Sequence, residues 1–238
     1  MLVETELIVL SAVRYSDNAS IVTTYSERLG TIAFKAIRSA SRKRGRANAL
    51  FTPLSVVKMA MEYHPTRAIQ IPGEPFVVHA PLRPSLDSVA NAVALFTVEL
   101  LTRVVRSSSA DTALYRYLRD EIVGLERLSD KGVSSFHLRL MVGMLHYMGI
   151  LPDQGQYREG FILDLAEGAF RRAWTQEEQL LGRSSALLVQ FITTEHPEEL
   201  SLSRHERNAL LDMLLAYLAY HFPDVGTLRS PEVLSQLF

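Results

Sequence analysis

Between residues 71 and 84 the chain carries four prolines, Pro72, Pro75, Pro81 and Pro84, and its apolar residues recur with a different period on either side. Before the prolines the period is close to two, the spacing that fills one face of a β-strand. Segments 6–13, 20–25, 31–37, 54–63 and 67–71 read as strands, with Glu27-Arg28-Leu29-Gly30 and His64-Pro65-Thr66 as turns. Five short strands with no convincing helix among them predict a small antiparallel barrel of the OB type.

After the prolines the period becomes 3.6. Ser85 is positioned to cap a helix to about residue 106, with Leu86, Val89, Val93, Phe96, Leu100 and Val104 on one face. Asp111 caps the next, with Leu114, Tyr117, Leu118, Ile122 and Leu125 inward, and a third helix spans 134–148 and stops at Gly149. An extended pair, 161–165 and 169–174, joins through Glu167-Gly168 like a hairpin. Helices over 177–193 and 203–221 and a short one after Pro231 complete the chain. The expectation is an α+β protein of two domains. Residues 1–80 form a five-stranded antiparallel OB-fold barrel that binds nucleic acid, and residues 81–238 form a mostly helical domain with a small β-hairpin insertion.

The chain has 25 Lys and Arg against 26 Asp and Glu, but the near balance hides an asymmetry. Residues 1–80 hold ten basic and six acidic side chains, whereas residues 81–238 hold fifteen and twenty. The first part is therefore suited to an anionic partner and the second is not. There is no cysteine, which removes disulfides and thiolate zinc sites and fits a reducing compartment. The opening Met1-Leu2-Val3-Glu4-Thr5-Glu6 lacks the basic start of a signal peptide, and no apolar run reaches a membrane-spanning length. A cytoplasmic, nucleoid-associated protein is expected. Neither Gly-x-x-x-x-Gly-Lys nor Gly-x-Gly-x-x-Gly occurs among the twelve glycines, and Gly-x-Ser-x-Gly and His-Glu-x-x-His are also missing. The seven histidines are scattered, and the pairs Glu177-Glu178 and Glu198-Glu199 sit near helix starts, where the helix dipole favours them. No active site, cofactor or metal site is read, so the chain is expected not to be an enzyme.

The informative stretch runs from Lys35 through Arg38, Arg42, Lys43, Arg44 and Arg46. From Arg28 to Met61 there is no acidic residue, while eight Lys and Arg occur. Ser39, Ala40, Ser41, Gly45 and Ala47 between them are small and leave the cations unobstructed. Two readings fit such a run: a solvated surface that keeps the chain soluble, or a loop that follows a phosphodiester backbone and gains affinity by counterion release. Its position between the third and fourth strands of a small barrel favours the second. Phe34, Phe51 and Tyr63 lie on or beside strands, and each is either a base-stacking partner or core.

The order Tyr15-Ser-Asp17, Ile21-Val-Thr-Thr-Tyr-Ser26, Gly30, Lys35-Ala-Ile-Arg38-Ser39, the basic run and Ala49-Leu-Phe-Thr-Pro53-Leu-Ser55 resembles the amino-terminal domain of the RecO family. Phe136-His-Leu-Arg139-Leu-Met-Val-Gly-Met-Leu-His-Tyr-Met-Gly149-Ile-Leu-Pro152 is similar to that family's central helix, and Tyr220-His221 followed by Leu228-Arg229-Ser230-Pro-Glu-Val-Leu234 to its closing segment. The resemblance covers nearly the whole chain. Two departures stand out: Ala36 follows Lys35 where the family commonly has glycine, and 153–174 lacks the four cysteines that hold zinc in many members. That stretch is then a cysteine-free remnant, and packing of Phe161, Leu163, Phe170 and Trp174 would have to hold it.

The resemblance implies a recombination mediator that binds single- and double-stranded DNA and anneals complementary strands. With RecR it would help RecA replace single-strand-binding protein. It also implies that the helical domain captures the acidic tail of single-strand-binding protein, which ends in an apolar residue with a free carboxylate. An apolar pocket beside a cation suits that ligand. On the helix over 134–148, Leu138 and Met141 with Arg139, and Lys131 just before it, are the candidates. The free protein is expected to be a monomer. The rival reading is a protein scaffold whose helical domain is the functional part and whose basic run is incidental; salt-dependent binding to an oligonucleotide separates the two. With no thiolate and dispersed histidines, the purified protein should hold no stoichiometric zinc and keep its melting temperature in chelator. One tightly held zinc per chain, found by elemental analysis, would contradict this.

Overall fold

The computed structural model describes residues 1–37, 50–106 and 108–237, and the chain divides into two compact units, Met1–Glu126 and Arg127–Phe238. The fold is α+β, as the two periods predict. In the first unit lie strands β1 (Leu2–Ser16), β2 (Ala19–Ser26), β3 (Gly30–Ile37), β4 (Val56–Glu62), β5 (Ile69–Gln70) and β6 (Phe76–His79). They form one sheet in the order β5-β3-β2-β1-β4-β6. The sheet is OB-like but differs from a closed five-stranded antiparallel barrel in two ways. It has a sixth strand, and β5 pairs with β3 in parallel, Ala33 beside Ile69 and Phe34 beside Gln70. Strand β6 lies among the prolines, where the alternation of Phe76 to His79 is too short to stand out from its surroundings.

β1 is the common strand. Its first half pairs with β4, from Leu2↔Glu62 to Ile8↔Val56, and its second half pairs with β2, from Leu7↔Ser26 to Ser16↔Ala19. Leu7, Val9, Val22, Ile32, Phe34, Phe51, Val57, Met59 and Met61 fill the interior that results. Phe34 and Phe51 meet edge to face at 5.3 Å, and Tyr63 packs partly buried against the same cluster. Phe34 and Phe51 therefore belong to the core, where their area contributes most, and Tyr63 lies at its edge.

Helices α1 (Arg83–Leu86), α2 (Ser88–Val104) and α3 (Thr112–Gly124) belong to the same unit. Asp87, not Ser85, caps the long helix, accepting from the backbone N–H of Val89 at 2.8 Å and Ala90 at 3.3 Å. Pro84 and Ser85 instead form the short α1, whose N–H of Arg83 is met by the Glu126 carboxylate at 3.0 Å. Asp111 caps α3 as expected. The segment before α3 is tied to the β2–β3 turn: the Thr31 N–H donates to the Ser108 carbonyl at 3.1 Å and the Thr31 hydroxyl to that of Val105. Arg116 pairs with Glu27 at 3.0 Å, Arg119 with Glu6 at 3.4 Å, and the buried rings of Tyr25 and Tyr115 lie 6.1 Å apart. Burial pushes the Tyr25 hydroxyl up to about 12.

The second unit is built on α4 (Asp130–Tyr147), with the β7 (Phe161–Asp164) and β8 (Ala169–Arg172) hairpin, α5 (Gln176–Gln179), α6 (Gly182–Thr193), α7 (Arg204–His221) and α8 (Ser230–Leu237). α4 begins a turn earlier than its apolar pattern suggests because Ser129 caps it, accepting from Gly132 N–H at 3.0 Å. Val133, Phe136, Leu138, Leu140, Met141, Met144 and Leu145 are all buried, so the helix is apolar on several sides and central. His137 is buried with them beside Arg207, and burial lowers its pKa to about 3, so it stays neutral. The predicted helix over 177–193 is two helices that break at Leu180 and Leu181.

The turn at Gly30 gives the sharpest test of the first unit. Its φ of +71° strains any L side chain, and a Cβ there would overlap the carbonyl of Ser108. Gly30→Ala should cost about 2–4 kcal/mol, combining left-handed strain with overpacking. The urea midpoint measures it, and an unchanged midpoint would show that the Ser108 segment moves aside without penalty.

Candidate nucleic-acid interface

Strands β2 and β3 present one face to the core and the other outward. Outward-facing positions fall into cross-strand rows, Tyr25↔Thr31, Thr23↔Ala33 and Ile21↔Lys35, by the observed register. At one end this face is covered, since Tyr25 packs on Tyr115 and Gly30 lies under Ser108. In the middle is a shallow cavity of about 300 Å³ lined by Thr23, Ala33, Tyr63, Arg67 and Gln70 among others. Gln70 is held there by its own hydrogen bonds, accepting from His64 N–H at 3.0 Å and donating to the His64 carbonyl at 3.0 Å.

The far end of the face is open. From Ala12 onward β1 has left the core and pairs with β2 alone, so its side chains are exposed on both faces. Val13 stands opposite Ile21, which stands opposite Lys35. Tyr15 is 65% exposed, Ile37 69% and Val13 64%, an unusual run of apolar surface for strand residues. The Lys35 ammonium lies 5.4 Å from the centroid of the Tyr15 ring, a cation–π contact that holds the ring and the charge together. An exposed ring beside a cation can stack on a base while the cation meets the adjoining phosphate.

Lys35 is thus placed at this end of the sheet. Arg38, Arg42, Lys43, Arg44 and Arg46 lie outside the described residues, but the stretch that carries them follows Ile37 directly. It rejoins the described chain at Leu50, next to the buried Phe51. The sequence reading did not single out Tyr15 as a site residue. The available signal was the apolar alternation Val13-Arg14-Tyr15, which continues beyond the buried part of β1.

In the second unit the tail candidates fall in different environments. Leu138 and Met141 are fully buried in the core around α4, and Lys131 is exposed at that helix's first turn. Arg139 is half-buried and pairs with the buried Glu198 at 2.8 Å. The hairpin is also held differently from the expectation. Leu163 and Phe170 are buried and the N–H of Leu163 donates to the Ser185 hydroxyl at 2.9 Å, but Trp174 is 77% exposed. Its ring lies against the Arg171 guanidinium at 3.8 Å, and that guanidinium is gripped by Asp164 at 2.6 Å and Glu178 at 2.8 Å. The Arg171 guanidinium and the backbone N–H of Trp174 lower the Glu178 carboxyl to about 2. A charged cluster, not a tryptophan core, therefore closes the cysteine-free hairpin. Among the described residues no group of three His, Asp or Glu side chains is placed to hold a metal ion, and no helix is long and apolar enough to cross a membrane.

An OB-like sheet with an open aromatic and cationic end, followed by helices, defines a class of nucleic-acid-binding protein. The family descriptions "Recombination protein O N terminal" and "Recombination protein O C terminal" match residues 1–70 and 85–227. The DNA repair protein RecO of Porphyromonas gingivalis is 30% identical and that of Phocaeicola vulgatus 29%, each alignment covering all of both chains. The chain belongs to the RecO family, and with it to the proteins of DNA repair and recombination.

Proposed function

We propose that this protein is a non-enzymatic recombination mediator. It binds single- and double-stranded DNA and anneals complementary strands. With RecR it helps load RecA onto DNA coated by single-strand-binding protein, in the cytoplasm at the nucleoid. Residues 1–80 supply the DNA contacts, and 81–238 supply protein contacts. The observation that carries this reading is the Tyr15–Lys35 pair at the root of an acid-free stretch with eight cations. Arg42, Lys43 and Arg44 neutralise phosphates, and Tyr15 with Ile37 gives successive bases a surface to stack on.

The two kinds of contact are separable by salt. Replacing Arg42, Lys43 and Arg44 by alanine should weaken binding to all sequences and flatten the logarithmic salt slope by roughly 0.7 per lost single-strand contact. Tyr15→Ala should cost about 1–3 kcal/mol with little change in slope, because stacking releases no counterions. Fluorescence anisotropy of a labelled oligonucleotide at several salt concentrations reads both. Unchanged affinity and slope in a folded triple variant would leave the basic run as a solubilising surface and favour a protein scaffold.

For the tail of single-strand-binding protein, the reading rests on family membership and on Arg139 as a cation midway along the second unit's central helix. A peptide carboxylate at Arg139 has to compete with Glu198, and access to Leu138 and Met141 requires neighbouring side chains to move. With a fluorescent tail peptide, Arg139→Ala should lose about 1.5–3 kcal/mol if the guanidinium meets the carboxylate. Equal affinity in wild type and variant would move the tail elsewhere on the unit, towards Lys131 or beyond.

A further inference from the structure

The second unit carries an aromatic surface that the mediator reading does not use. Trp174, the only tryptophan in the chain, is 77% exposed and yet held in place. The Arg171 guanidinium covers one face of the indole at 3.8 Å. Asp164 and Glu178 hold that guanidinium, and Glu178 also accepts from the Trp174 backbone N–H at 2.6 Å. Cation, carboxylates and strand end together fix the ring, so a ligand stacking on it has little side-chain freedom to freeze out.

The two residues before it line an open cavity of about 610 Å³. Arg158 and Arg172 stand at its wall with Phe161, Ala173 and Gly182, and Glu159 is the one acidic residue in the lining. Both arginines are exposed. Arg158 is steadied by donating to the carbonyls of Gly155 at 2.9 Å and Tyr157 at 2.7 Å, and among the described residues no carboxylate lies within ion-pair distance of it. Among the described residues no carboxylate lies within ion-pair distance of Arg172.

We infer that Trp174, Arg172 and Arg158 form a second binding site for single-stranded nucleic acid, separate from the OB-like sheet. A base stacks on the indole face opposite Arg171, and the adjoining phosphates enter the cavity to meet Arg172 and Arg158. The chemistry selects a single strand, because a base in a duplex is stacked on its neighbours and cannot offer its face to the ring. Glu159 in the lining and the neighbouring Glu167 and Glu177 limit the positive surface, so the contact is a short one of one or two nucleotides and not a general DNA track. The inference extends the proposed function to a second surface, and its signal is independent of the first.

Because Trp174 is the sole tryptophan, its emission reports on this site alone. An unlabelled thymidine oligonucleotide titrated into the full-length protein should quench that emission saturably, and a duplex of the same length should quench it far less. Arg172→Ala and Arg158→Ala should each weaken the quenching about tenfold while leaving the far-ultraviolet spectrum unchanged. The Arg42, Lys43 and Arg44 triple variant should retain quenching at raised oligonucleotide concentration. Anisotropy that reports binding while the tryptophan emission stays constant would overturn this site and leave the sheet site standing. Quenching by an acidic peptide but not by the oligonucleotide would overturn it too, in favour of a protein ligand. Loss of saturable quenching by a folded triple variant would overturn an independent second site, whereas weaker anisotropy with quenching retained supports it.

Discussion

Strand β1 transfers its backbone hydrogen bonds from one partner to another, and the first unit depends on that transfer. Leu7 and Ile8 pair with both β2 and β4, whereas residues before them pair only with β4 and residues after them only with β2. The N–H of Val9 donates to Ser55 and that of Leu54 to Val9, with Leu54 at a φ of +67°, so the strand that follows the basic run enters the sheet by a strained step. A register slip of one residue would turn Leu7 and Val9 out of the core. The bulge between Val9 and Ser11 lets the strand bend past the interior and project.

That projection creates the open end of the sheet. Among the described residues, a strand paired on one edge beyond the core has no neighbour to bury Val13 or Tyr15, and their exposure is the consequence. At the opposite end the helices cover the same face through Gly30, Tyr25 and Tyr115. One β-surface is thus sealed at one end and available at the other, and Lys35 lies at the available end.

The second unit shows how pairing changes the meaning of a charge. Arg139, Arg171 and Arg183 each meet a carboxylate, Glu198, Glu178 and Glu206 respectively. The exposed pairs contribute little to stability. What they do is orient: Arg171 holds an indole flat against solvent, and Arg139 pairs with one oxygen of a buried carboxylate that would otherwise be costlier still. Arg158 and Arg172 have no such partner among the described residues, and their charge is left to act on something else.

The sequence by itself determined the α+β class, most of the strand segments, the helix cap at Asp111 and the family, because periodicity, caps and motif order are local or serial properties. It also marked the acid-free basic run, since a deficit of carboxylates is visible in one dimension. It did not show that Asp87 would outcompete Ser85 as a cap, that Phe76–His79 would add an edge strand, or that β5 would run parallel to β3. Those outcomes depend on which backbone groups find partners after the chain has folded. Nor could it separate Trp174 from a core residue, because its exposure follows from three charged groups that converge only when the hairpin meets α5. Tyr15 is the same case in reverse: its sequence reads as strand, and only the end of the core at Leu10 leaves its ring open. Burial and ion pairing are properties of neighbours distant along the chain, so the tertiary structure alone decided which aromatic rings and which cations face solvent.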